Sequence, residues 1–138
     1  MNMQLEINGT TYEFRFGIGF MKEIQSRYKE MASISVAIPN GFKYVVASML
    51  DGHIEDLFDI LYTANKTEKP RITEKALMEY LEDESTDIES LIEEVKVFLL
   101  QANASKNLMN QIMKALAEEQ TKTETETETT TKAKTKKK

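Results

Sequence analysis

The sequence predicts an α+β fold: an N-terminal β-hairpin packed on a mainly helical body of about five helices, followed by a disordered C-terminal tail. Three observations predict it. Asn8-Gly9 separates two short runs of alternating apolar and polar residues, apolar residues then recur at helical spacing from Ile18 to Leu116, and from Thr121 onward Ala133 is the only apolar residue. The length of 138 residues suits one domain, and the composition shift places that domain at residues 1–118 and the tail at 119–138. With no Cys, a disulfide scaffold, a Cys-ligated metal and a thiol nucleophile are all excluded. No stretch approaches the run of about 20 apolar residues that spans a bilayer, and Met1 to Ile7 alternates instead of forming a signal-peptide core, so the expectation is a soluble, non-secreted protein without a membrane partner.

The hairpin comes with a register. Asn-Gly tolerates positive φ at both central turn positions and so favours a two-residue type I′ loop. That loop pairs Ile7 with Thr10, Leu5 with Tyr12 and Met3 with Phe14. These residues and Phe16 fall on one face, and Gln4, Glu6, Thr11, Glu13 and Arg15 on the other. A two-stranded ribbon is marginal alone in water, so the apolar face needs a cover.

The first helix is expected from Ile18 to Met31 and is the first candidate for that cover, with Ile18, Met21, Ile24, Tyr28 and Met31 as its apolar stripe. Ile34, Val36 and Ile38 alternate ahead of Pro39, which disfavours helix before it, so a short strand or extended connector is expected there. The second helix starts after Asn40-Gly41, carries Phe42, Val45, Val46, Met49 and Leu50, and ends at Asp51-Gly52, where Gly accepts the left-handed cap. Ile54, Leu57, Phe58 and Leu61 mark a third helix reaching to about Asn65. A polar, Pro-containing loop follows from Lys66 to Arg71.

Thr73 reads as the N-cap of a fourth helix, with Glu74 in its first turn, Ile72 placed to staple onto Leu77, and Ala76, Leu77, Tyr80 and Leu81 as its buried stripe. Thr86-Asp87-Ile88-Glu89 has the capping-box pattern, in which Thr and Glu satisfy each other's backbone amides, and opens the fifth helix. Its stripe is the longest: Ile88, Leu91, Val95, Phe98, Ala102, Ser105, Met109, Ile112 and Leu116, with Ser105 alone polar. Unbroken to Ala117 it would run about 45 Å. The poor helix formers from Asn103 to Asn107 are where it could divide and leave Leu108 to Leu116 as a separate amphipathic segment. Either way an apolar surplus is expected near the C-terminal end of the body, and Met109, Ile112, Met113 and Leu116 are the candidate partner-binding residues, acting together as i, i+3, i+4, i+7 anchors toward a partner helix or another copy of the chain.

Net charge is −5, unevenly placed. Residues 121–138 hold six Lys against three Glu, a surplus of +3, which leaves −8 on the first 120 residues. Glu79, Glu82, Asp83, Glu84, Asp87, Glu89, Glu93 and Glu94 follow one another with no basic residue between them. Such a body repels nucleic-acid phosphate, and only the tail has the sign to attract it. The acidic run lacks the spacing of a calcium loop and reads as solvated helix ends. His53, the single His, cannot assemble a triad or a multi-histidine metal site and is expected at the surface or between helices. Gly17-Ile18-Gly19 sits between strand and helix as phosphate loops do, but neither GxGxxG nor GxxxxGK[ST] is present and the strands form a hairpin, so it reads as a plain strand-to-helix turn. No catalytic, cofactor-binding or metal-ligating set emerges, and an enzyme is not expected.

Leu5-Glu6-Ile7-Asn8-Gly9, Tyr12-Glu13-Phe14-Arg15-Phe16-Gly17 and Gly19-Phe20-Met21-Lys22-Glu23-Ile24 with Arg27-Tyr28, then Leu57-Phe58-Asp59-Ile60-Leu61-Tyr62-Thr63-Ala64, Ile72-Thr73 and Tyr80-Leu81-Glu82, together resemble the tail assembly chaperones of long-tailed, siphovirus-type bacteriophages over residues 3–105. The resemblance implies an acidic protein of the infected cell's cytoplasm, absent from the finished virion, that binds the tape measure protein and keeps it soluble while tail tube protein polymerises around it. It brings no catalytic residues. It also implies a longer frameshifted form, to which residues 121–138, ending in Lys136-Lys137-Lys138, would act as a tether reaching on the order of 20 to 25 Å toward a domain that recruits tail tube protein. A structural tail or head-completion component and a small acidic interaction adaptor are the alternatives.

Overall fold

The computed structural model describes residues 2–27 and 41–118, in which a two-stranded antiparallel hairpin precedes six helices. The expected strand or connector at Ile34 to Ile38, the Tyr28 and Met31 end of the first helix, Asn40, and the tail at 119–138 lie outside the described residues.

The hairpin forms in the expected register. β1 (Met3–Ile7) pairs with β2 (Thr10–Phe14) as Met3 with Phe14, Leu5 with Tyr12 and Ile7 with Thr10. Asn8 and Gly9 both take positive φ, 52° and 79°, as the two-residue turn requires. Met3, Leu5, Ile7, Phe14 and Phe16 are buried and Tyr12 is half-buried, while Gln4, Glu6, Thr11 and Arg15 are exposed.

Helix α1 (Ile18–Arg27) departs from the expected stripe: Ile18 is 69% exposed, and Phe20 and Ile24 are the buried pair. Phe16 makes an edge-to-face contact with Phe20, ring centres 5.2 Å apart, and this sets the rotation of the helix. With Phe20 and Ile24 inward, Ile18 lies about 200° round the helix from Phe20 and points away from the core.

Helices α2 (Gly41–Leu50) and α3 (Ile54–Asn65) are joined by Asp51-Gly52, where Gly52 adopts φ 100° and donates to the Met49 carbonyl. Phe42, Val45, Val46 and Met49 are buried as expected. In α3 the stripe moves one turn along: Leu57, Ile60, Leu61 and Ala64 are buried, and Ile54 in the first turn is 40% exposed. Helix α3 is central, packing against β2, α1, α2 and α4. Of the candidate covers for the hairpin, α3 makes the main packing on β2, with hydrogen bonds at its C-terminal end through Ala64 and Asn65. There the Arg15 amide donates to the Ala64 carbonyl at 2.9 Å. Arg27 reaches from α1 to Thr63 Oγ1 at 3.1 Å and to Asp59 at 3.6 Å, and Lys66 pairs with Glu23.

Helix α4 (Glu74–Glu82) is capped as expected, the Ala76 amide donating to Thr73 Oγ1 at 3.1 Å, with Ile72 and Leu77 both buried. The capping box of the next helix is corrected by one residue. Asp87 is the N-cap of α5 (Ile88–Gln101), accepting from the Ser90 amide at 3.1 Å, and Thr86 instead donates its hydroxyl to the Tyr80 carbonyl at 2.6 Å, satisfying the open end of α4. The long apolar stripe divides inside the weak segment, and a sixth helix, α6, runs over 106–118. Ser105 sits fully buried at the break and donates to the Leu99 carbonyl at 2.6 Å, while its own carbonyl accepts from the Met109 amide as α6 begins. A polar residue in the stripe therefore serves both helix ends.

Candidate functional site

Of the residues weighed for chemistry, His53 lies at the surface, 3.7 Å from the still more exposed Asp51, with no side-chain hydrogen bond to the α3 N-terminus. Among the described residues no three His, Asp or Glu side chains come together as a metal site. The eight acidic residues from Glu79 to Glu94 are all exposed and lie around the α4–α5 corner. Within it, Ser85 and Ser90 hydrogen-bond to Asp83 and Asp87 respectively and hold each carboxyl below the usual Asp range. Burial, with the charge of Glu94, pushes the Tyr80 phenol up. These are capping and turn interactions.

The four candidate partner-binding residues do not share one exposed face. Met109 and Ile112 are buried in the main core, at 0% and 5% exposure, whereas Met113 and Leu116 are half-buried. The expectation that this stripe lies beyond the body is corrected: the turn at 102–105 folds α6 back so that part of the stripe is used internally. Lys43 of α2 donates to Gln111 Oε1 at 2.5 Å and ties α6 to the body.

Among the described residues, two concavities stand out. The smaller, about 510 Å³, lies between α1, α2 and α3. Two of its three carboxylates are engaged, Asp59 with Arg27 and Asp56 with the Ser48 hydroxyl. The larger is a groove of about 790 Å³ between the β2–α1 turn and the α5–α6 junction. Phe16, Ile18 and Phe20 line it from the β2–α1 turn and Phe98 and Ala102 from the α5–α6 junction, with the polar side chains of Asn2, Thr67, Gln101 and Asn103 among them. Arg15 is the one charged residue lining it and has no ion pair among the described residues. Gly17 lets the Arg15 side chain lie close, since a Cβ there would stand 3.3 Å from Arg15 Nε. The Gly17-Ile18-Gly19 turn thus shapes one wall of the groove. Sequence reasoning marked this turn for its glycines and did not find the opposite wall, because Phe98 and Ala102 are more than 75 residues away along the chain. The groove can take up an apolar side chain and can offer an adjacent negative group a guanidinium.

No curated protein and no solved structure is significantly similar to the chain. A family model described as phage tail assembly chaperone protein matches residues 4–114, a span that takes in the hairpin from its second paired residue, helices α1 to α5 and most of α6. The match covers well over half of the 138 residues, and the chain belongs to the phage tail assembly chaperone family.

Proposed function

We propose that this chain acts in tail assembly by binding the tape measure protein, keeping it soluble and helping to recruit tail tube subunits. The observation that carries the reading is the family match over residues 4–114. An acidic helical body with half-buried Met113 and Leu116 on α6 and a groove of mixed apolar and polar lining is compatible with holding amphipathic helices, which bind through apolar anchors on one face. The role is non-enzymatic. It is exercised in the host cytoplasm, and the protein is left out of the finished particle. Tube-subunit recruitment would fall to a longer product made by ribosomal slippage near Lys136-Lys137-Lys138, which the gene tests directly through a slippery heptamer and an overlapping downstream frame.

Co-expression with the tape measure protein tests the central claim. The native chain should retain it in the soluble fraction and co-purify with it, and the double variant Met113→Ser, Leu116→Ser should stay folded while co-purification drops. Loss of neither solubility nor co-purification in that variant would remove α6 from the interface, and absence of any complex with the native chain would overturn the reading. Finding the chain by mass spectrometry in purified particles would favour a structural tail component instead.

A further inference from the structure

We propose that the groove between the β2–α1 turn and the α5–α6 junction docks an amphipathic helical segment of the assembly partner through an apolar side chain set one turn from a carboxylate; this rests on the proposed function above and assigns it a surface and a ligand chemistry. The occupant follows from the charge and shape of the groove. The first 120 residues carry a net −8, and the acidic α4–α5 corner is exposed, so most of this surface repels an acidic segment. The groove is the exception. Among its lining residues the single charge is the Arg15 guanidinium, without a carboxylate partner among the described residues; the Glu68 carboxylate stands at the edge, where each of its oxygens accepts a hydrogen bond, one from Asn2 and one from Thr67.

Beside that charge stands Ile18, 69% exposed and the most exposed of the large apolar residues described. Across from it are the partly buried ring of Phe98 and the small Ala102. An apolar anchor entering between Ile18 and Phe98 removes Ile18 from water, which the fold itself does not do. Residues one turn apart on a helix are neighbours on one face, so a Glu or Asp there meets Arg15 while the anchor is seated. A basic residue in that position meets like charge and is disfavoured.

The test uses the full chain and two synthetic helical peptides that are identical except for one position, Glu or Lys, one turn from a single Leu anchor. Amide signals in nuclear magnetic resonance spectra should shift over residues 15–20 and 98–104, with the Glu peptide bound about three- to tenfold more tightly than the Lys peptide, the scale of one exposed charge contact. Arg15→Glu should reverse that order, and Ile18→Ser should weaken both peptides. Both positions are exposed, and the same spectra report whether each variant keeps its fold. Shifts that map elsewhere, or a peptide order unchanged in Arg15→Glu, overturn the proposal. Co-purification with the tape measure protein separates the two claims. If the native chain retains it and both variants retain it equally, the groove is refuted and the function stands. If the native chain does not retain it, the function is refuted and the groove is judged on the peptides alone.

Discussion

Asn65 holds the hairpin to the helical body by donating its side-chain amide to the Glu13 carbonyl at 2.9 Å. The same carboxamide donates to the Pro70 carbonyl at 3.2 Å and accepts from the Ile72 amide at 2.7 Å. The residue is 1% exposed, so backbone polar groups at the end of β2, in the loop after α3 and at the entry to α4 are satisfied by one buried side chain. Buried polar groups stripped of a partner cost more than the bond itself contributes, because water cannot replace the partner.

Asn65→Ala should therefore destabilise the chain by about 2 to 4 kcal/mol, beyond an ordinary single hydrogen bond, since two carbonyls and one amide lose their partner together. Urea unfolding of the variant checks this. A midpoint within error of the parent would mean that water or a local shift replaces the contacts.

Leu5 stands on the buried face of the hairpin opposite Tyr12, at 9% exposure. Leu5→Lys should cost several kcal/mol by placing an unpaired charge on that face, whereas Glu6→Lys on the exposed face should stay within about 0.5 kcal/mol. Thermal unfolding followed by circular dichroism distinguishes them, and equal melting of the two variants would contradict the register.

Met109 and Met113 lie four residues apart on α6 but have different surroundings. Met109→Ala should cost about 2 to 4 kcal/mol because it empties a fully buried site, and Met113→Ala should cost under about 1.5 kcal/mol because that side chain is only half-buried. The same contrast means that replacing all four of Met109, Ile112, Met113 and Leu116 with Ser would unfold the C-terminal end of the body and would not isolate a binding surface. Denaturant curves of the two single variants decide the matter, with a larger loss at Met113 being the contrary result.

Asp83 and Asp87 have carboxyls held below the ordinary Asp range by hydrogen bonds from Ser85 and Ser90. A carboxyl whose folded pKa is depressed contributes stability that is present above its unfolded pKa, near 3.9, and is lost as pH falls through the folded value. Melting temperature should then fall as pH is lowered from about 5 toward 2, and Asp87→Asn with Ser85→Ala should flatten that fall. An unchanged acid slope in the double variant would assign the loss to other carboxylates.

Local chemistry legible in the residues themselves determined much of the fold. Asn8-Gly9 dictates a type I′ turn, and the turn dictates every pair in the hairpin; Gly52 and Thr73 act as helix caps through their own backbone freedom and side-chain oxygen. Each of these depends on residues within about four positions of one another, which is why sequence spacing reveals them. Even the capping box erred by one position only, because Thr86 and Asp87 are both competent caps and the Tyr80 carbonyl, six residues back, claimed the Thr hydroxyl.

Tertiary structure decided which of several near-equivalent apolar residues went inside. Ile18 and Phe20 are both apolar on α1, and the Phe16 ring settled the choice by pairing with Phe20. Met109 had the pattern of a binding anchor until the buried Ser105 turned the chain at the Leu99 carbonyl and carried it into the core. Asn65, unremarkable at the end of a predicted helix, became the joint between hairpin and body, and the groove arose only when residues 15–20 and 98–104 met. Periodicity measures how apolar a helix face is, but the partner that covers the face is supplied by distant chain, and burial is set by that pairing.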